Sequence, residues 1–345
     1  MRAAHDHRVR LHDWLRRKAE YGTGIARRLR LVQQSGPTAV RLTAAGTVAA
    51  LSQAGALLTR HWWPVAAVAS GRPQADGRPD QCGARHPEPL GHSVPAVLIR
   101  TVRDTAAVLD AVAAAGPVDV GHPLGLPAGG LLSVLRRDPG RLRIGVMTAA
   151  PTHAPPVTAD VADTVRQTAD QLVRLGHDVV DAHPEAMDDP ACLPTFFDAL
   201  SVTVVQTVDV LSRQIGPPGP GDLDPVTEFW LRRGRQITGV EPADALLWQG
   251  GFQARMSAWW ESGFDLLLSP VFASPPKRVS WPWAEEDGIQ ASVDVLSFTA
   301  PFNTTGQPAI SVPARLTPSG PPVGVQFAAA VGRKDLLIAV AGQLE

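Results

Sequence analysis

Leu142-Arg143-Ile144-Gly145-Val146-Met147, then Thr158 to Leu175, then Gly176-His177-Asp178-Val179-Val180 are the stretches on which the fold turns. The first and last are short runs of aliphatic and β-branched residues bounded by charged or small ones, the pattern of buried strands. Between them Val161, Val165, Ala169, Leu172 and Leu175 recur at helical spacing, and Gly176 stands where a helix would stop. Strand, helix and strand in succession predict parallel pairing through a right-handed crossover, and so an α/β fold.

The same grammar extends both ways. Leu193 to Arg213 predicts a helix, Gly216 to Gly221 a loop, and Pro225 to Trp260 a second helical stretch that carries Trp230, Trp248, Trp259 and Trp260. Phe264 to Leu268 reads as a buried strand ending in Ser269-Pro270. Ala309 to Pro313 and Val323 to Phe327 are two more strands, joined by a Pro/Gly turn, and Lys334 to Leu344 closes as a helix. On the N-terminal side Ser93 to Ile99 is apolar and extended. Thr101 then caps a helix whose inner face holds Ala106, Ala107, Leu109, Val112 and Ala113, and Gly116 to Gly130 forms a Gly/Pro loop. The expectation is a mixed β-sheet covered by helices, formed by residues 93–345. Residues 1–92 read as an irregular or degenerate segment, in which Arg27-Arg28-Leu29-Arg30 and Gly71 to Pro89 frame one apolar helix candidate, Val40 to Leu58.

Composition narrows the function classes. Of the 345 residues 44% are hydrophobic and 19% charged, enough apolar material for a large core. A formal net charge of -1 gives no field that would draw in nucleic acid or an anionic membrane, so a small-molecule substrate is expected instead. Cys82 and Cys192 form no CxxC pair, which argues against a disulfide framework or a cysteine zinc site and for a cytoplasmic location. The apolar runs are shorter than the roughly 20 residues a bilayer span needs, and the His- and Arg-rich start has no apolar targeting core. No metal or cofactor is expected: His5-Asp6-His7 supplies two ligands without a third, and Gly22-Thr23-Gly24 lacks both the third glycine and a preceding strand. The helical-spaced tryptophans are expected to be core, with one or two available to line a pocket.

The densest motif is Pro301-Phe302-Asn303-Thr304-Thr305-Gly306-Gln307-Pro308-Ala309-Ile310-Ser311-Val312-Pro313, followed by Gly324-Val325-Gln326. Locally it predicts a turn leading into a strand: Asn303 can bond nearby backbone, Gly306 can take positive φ, and Pro308 fixes the entry. Together with Ser93 to Ala106, with Leu142 to Met147 and Leu175-Gly176-His177-Asp178-Val179, and with Asp265-Leu266-Leu267-Leu268-Ser269-Pro270, it resembles the amidase signature family. Taken residue by residue, Thr101 and Asp104 remain readable as a helix cap and Asp265 as a strand-entry residue.

The resemblance implies hydrolysis of carboxylic amide C–N bonds. In that family a serine is activated through a second serine, in a cis peptide, by an unprotonated lysine, and backbone N–H groups hold the oxyanion. Those residues precede the position equivalent to Ser93. Here that region has no Gly-Gly-Ser-Ser, no Ser-Ser pair and no Asp-x-Gly-Gly-Ser. Lys18, the only lysine before Ser93, sits in the charged run Arg16-Arg17-Lys18-Ala19-Glu20, where desolvation could not lower its pKa. Ser35 and Ser52 lack the glycine setting, and no G-x-S-x-G elbow occurs. The catalytic residues are therefore unknown, and the expected sheet is incomplete on its N-terminal side, exposing apolar faces and favouring marginal stability or homo-oligomers.

Three functions follow: an amidase-family protein whose own activity is in doubt because the Ser-Ser-Lys site is not found, a non-catalytic small-molecule binding or interaction protein of amidase fold, or a protein similar to the amidase-like subunit of the glutamine amidotransferase that serves transfer RNA charging. One further expectation concerns Arg72 to Gln81. It can be encoded so that reading one base later yields Gly-Leu-Lys-Pro-Thr-Ala-Gly-Arg-Ile-Ser, similar to a segment of the family, so residues before about Glu88 are expected to be partly an out-of-frame translation.

Overall fold

The computed structural model describes residues 97–113, 126–151, 154–277, 281–284, 287–318 and 320–345, together with two short strands at 40–41 and 65–69. The strands are β1 (Val40–Arg41), β2 (Val65–Ala69), β3 (Val97–Ile99), β4 (Arg143–Val146), β5 (Asp178–Asp181), β6 (Leu266–Pro270), β7 (Ala309–Leu316) and β8 (Pro322–Ala329). They form one sheet in the order β1-β3-β2-β7-β8-β6-β4-β5. β4 runs parallel to β5, with Ile144 beside Val179, and parallel to β6, with Ile144 beside Leu266. β8 is antiparallel to both β6 and β7, so the sheet is mixed, as expected. β2 lies antiparallel against β7 with a register irregularity between Ala66 and Ala69. Of the helix expected over Val40 to Leu58, Val40 and Arg41 are strand; the rest lies outside the described residues, as do His5-Asp6-His7, Lys18, Gly22-Thr23-Gly24, Ser35, Ser52 and Arg72 to Gln81.

The helices are α1 (Val102–Ala113), α2 (Gly130–Val134), α3 (Ala159–Arg174), α4 (Cys192–Ile215), α5 (Pro225–Gln236), α6 (Val240–Glu261), α7 (Trp281–Ala284), α8 (Gly288–Asp294), α9 (Ala300–Thr305) and α10 (Lys334–Leu344). Their ends follow from local chemistry. The Thr101 hydroxyl accepts the Asp104 N–H at 3.0 Å, which caps α1. Asp224 accepts the N–H groups of Val226 and Thr227 at 3.0 Å while Pro225 takes the first helical position of α5. α3 stops at Gly176, whose φ of 95° is available to glycine without strain, and the His177 N–H closes the turn on the Leu172 carbonyl at 3.1 Å.

The pleat sends successive side chains of β6 to opposite faces. Leu266 and Leu268 pack with Ile144, Val165, Leu172, Phe327 and the inner face of α10. Leu267 points the other way, into Met147, Phe252, Met256, Phe298 and Phe302. A third cluster, Leu193, Phe196, Phe197, Trp230 and Leu296, joins α4 to α5. α4 is the one described helix long and apolar enough to cross a bilayer, yet Leu193, Phe196, Phe197 and Ala199 on it are buried within the protein.

Candidate functional site

The Pro301 to Pro313 motif builds a polar layer where α6, α9, β7 and β8 meet. Where the sequence predicts a turn, the structure has the short helix α9, and Gly306 then ends it in the left-handed region at φ 71°. Thr299 begins that helix and Pro308 leads into β7, its carbonyl accepting the Ala329 N–H at 3.1 Å. Two side chains of α6 hold the carbonyl end of α9: Gln249 Nε2 donates to the Thr304 carbonyl at 2.6 Å and Gln253 Nε2 to the Thr305 carbonyl at 3.2 Å. Gln326 on β8, also buried, donates to the Phe298 carbonyl at 2.8 Å and to Ser269 Oγ at 3.3 Å. Beside them stands Gln307, 1% exposed, with neither amide atom hydrogen-bonded. Sequence reasoning missed Gln249 and Gln253. The available signal was a pair of glutamines on the face of α6 that also carries Phe252 and Met256.

The other motif residues are structural. The Arg143 N–H donates to Asp265 Oδ2 at 2.8 Å, and the Asp265 N–H donates to the Arg143 carbonyl at the same distance, so Asp265 ties the entries of β6 and β4. The Leu142 N–H donates to His177 Nδ1 at 3.2 Å, which leaves Nε2 as the protonated nitrogen, 2.9 Å from Gln343 Oε1. That buried imidazole fastens α10 to β4 and is not free to take a proton from a nucleophile.

Nucleophilic chemistry is not assembled among the described residues. The buried serines Ser201, Ser269 and Ser297 each donate to a backbone carbonyl, of Phe197, Pro270 and Asp294 respectively. Cys192 is a free thiol; burial, with the Asp189 carboxylate second, pushes its pKa up to about 12, although Arg255 acts the other way. A thiol held neutral is a poor nucleophile. Lys277 lies over the Trp281 ring at 4.5 Å, and burial lowers the pKa of Lys334 at the start of α10. No group of three or more His, Cys, Asp or Glu side chains among the described residues could hold a metal ion.

The tryptophans are core, as the spacing predicts: Trp230 stacks on Phe197 at 4.8 Å, Trp248 on Phe252 at 4.8 Å and Trp259 on Phe264 at 4.3 Å. None of them lines the groove of about 360 Å³ between α4 and the α5 to α6 junction. Its walls include Val202, Val205, Asp209, Arg213, Ile237 and Pro242.

A mixed sheet covered by helices, with a Gly-Gln-Pro-Ala entry to β7 and a buried glutamine on β8, defines an α/β scaffold. The sequence model of the Amidase family matches residues 77–338, and this chain belongs to that family. It is similar to 6-aminohexanoate-cyclic-dimer hydrolase of Paenarthrobacter ureafaciens, 34% identical over 258 residues that cover 71% of this chain and 52% of that protein. It is also similar to the putative amidase AmiC of Mycobacterium tuberculosis, 32% identical over 267 residues, covering 74% and 52% of the two. A solved 6-aminohexanoate cyclic dimer hydrolase in complex with substrate superposes with a TM-score of 0.71 at 30% identity, over 81% of this chain and 60% of that one. The chain spans about half the length of the curated relatives it matches.

Proposed function

We propose that this chain supplies the helix-covered sheet of an amide C–N hydrolase, for a small-molecule amide substrate, and does not by itself hydrolyse amides. The carrying observation is the commitment of Ser201, Ser269 and Ser297 to backbone carbonyls, which leaves no buried serine among the described residues hydrogen-bonded to a base. Amide attack needs such a pairing. The full chain, treated with a serine-directed fluorophosphonate probe and assayed on small linear and cyclic amides, is expected to show no labelled serine and no hydrolysis above the uncatalysed rate. Labelling at any serine sinks the proposal. A cytoplasmic location belongs to the same reading and rests on the sparse cysteines, two in all with no CxxC spacing.

The out-of-frame reading of residues before about Glu88 accounts for the missing Ser-Ser-Lys set. Sequencing the gene tests it: a shifted frame across Arg72 to Gln81 is expected to encode the family-like segment, and any other peptide there refutes it.

A second reading, non-catalytic binding, is favoured by the groove that Asp209 and Arg213 share with Val202, Val205 and Ile237. Its volume and mixed lining suit a small ligand with an apolar body and charged ends. Titration with such compounds, followed by NMR and repeated on Arg213→Ala, is expected to shift signals of the groove only in the parent chain.

A further inference from the structure

Helix α6 is apolar on two opposite faces. One buries Gln249, Phe252, Met256 and Trp260 against the sheet side of the protein. The other carries Val240, Leu247, Gly250, Gly251, Ala254 and Ala258, all exposed, with Val240 at 68% and Leu247 at 76%. At about 100° per residue these six fall within a stripe about 100° wide, the width of a helix face made for packing. The stripe is graded: the large side chains stand at its N-terminal half and the small ones at its C-terminal half. A Cβ added to Gly250 would meet nothing within 4 Å.

We propose that this face is a self-association surface, on which a second copy of the chain packs its own α6 antiparallel about a two-fold axis beside position 249. That axis sets Leu247 against the partner subunit's Gly251 and Val240 against the partner subunit's Ala258, each bulky side chain over a small residue that lets the backbones approach. Charge selects the same arrangement. Asp244 and Arg255, both exposed, lie along one flank of the stripe, and antiparallel helices bring identical flanks together. Asp244 therefore meets the partner subunit's Arg255, and Arg255 the partner subunit's Asp244. A parallel pair would bring opposite flanks together and leave Asp244 and Arg255 without each other as partners. Arg255 is pre-oriented by its 2.5 Å bond to Asp189 and remains half-exposed. A membrane surface fits less well, because the acids Glu241 and Asp244 flank the stripe's most apolar end.

Val240 to Ala258 spans about 27 Å at 1.5 Å per residue. A pair of such helices buries on the order of 1,000 Å² in total, the low end for specific association, so a micromolar equilibrium is expected.

Sedimentation velocity of the full chain between about 1 and 100 µM tests this. The expected result is a monomer to dimer shift over that range, abolished in Leu247→Glu with an unchanged far-UV circular dichroism spectrum. Gly250→Cys places two thiols beside the axis and is expected to give an oxidised dimer beyond any the parent chain forms. If Leu247→Glu loses its fold, the Gly250→Cys cross-link decides alone: its formation supports the interface and its absence overturns it. A parent chain that stays monomeric at 100 µM, or a Leu247→Glu protein that still dimerises, overturns it as well.

Discussion

Cys192, buried at the start of α4 with its pKa pushed up to about 12, ties a titration to folding. An unfolded-chain thiol titrates near pH 8.5. A pKa raised by folding means that the native state favours the neutral thiol. Its contribution to stability is complete below about pH 8.5 and is lost progressively as pH rises toward 12. In a Cys82→Ser chain at pH 9, iodoacetamide is therefore expected to modify Cys192 only as fast as the protein opens, and rapidly in denaturant; fast modification of the native chain would refute this. Gly145 shows a second constraint at the same scale. A Cβ there would stand 2.6 Å from the Ala182 carbonyl and 2.7 Å from the Trp259 ring. Gly145→Ala is expected to cost about 1–3 kcal/mol by overpacking, read from urea unfolding, although alanine is ordinarily the better strand residue. Gly145 could be seen in the sequence to lie in a strand, but the two walls that forbid a side chain come from residues distant in the chain and carry no local signal.

Among the elements, those with a strong period were legible and the short ones were not. α3 could be read because Val161, Val165 and Leu172 repeat along one face and are buried as that repeat demands. Helix α2 went unread: it starts at Gly130, the last residue of the expected Gly/Pro loop. It is held by the Asp110 carboxylate, which accepts the Leu131 and Leu132 N–H groups at 2.7 and 3.0 Å from another helix. α9 reads as a turn for a similar reason. Asn303, Thr304 and Thr305 are weak helix formers, and the helix survives on bonds from α6 that lie 55 and 52 residues away in sequence. Gln249→Met keeps the bulk and removes the donor, leaving the Thr304 carbonyl buried and unpaired. It is expected to cost about 1–3 kcal/mol in chemical denaturation. Gln253→Met, whose bond is longer and less buried, is expected to cost less, and the reverse order would show that these glutamines do not hold α9 in place.

In the whole molecule the sheet separates two apolar layers that share β6. Leu268 belongs to the layer of α1, α3 and α10, and Leu267 to the layer of α6, α9 and Met147, with both side chains fully buried. Cutting either to alanine leaves a cavity, at a cost of about 2–5 kcal/mol, a large part of the 5–15 kcal/mol a typical domain possesses. If the strand makes one cooperative unit of both layers, each substitution must lower the same transition whichever layer is observed. Trp248 and Trp260 pack in or against the Leu267 layer, so tryptophan emission weights that side, whereas far-UV circular dichroism averages over all helices. Leu268→Ala acts on the opposite layer. It is expected to shift the fluorescence and dichroism midpoints in urea together; a fluorescence midpoint that stays at the parent value while the dichroism midpoint falls would show two layers that unfold separately.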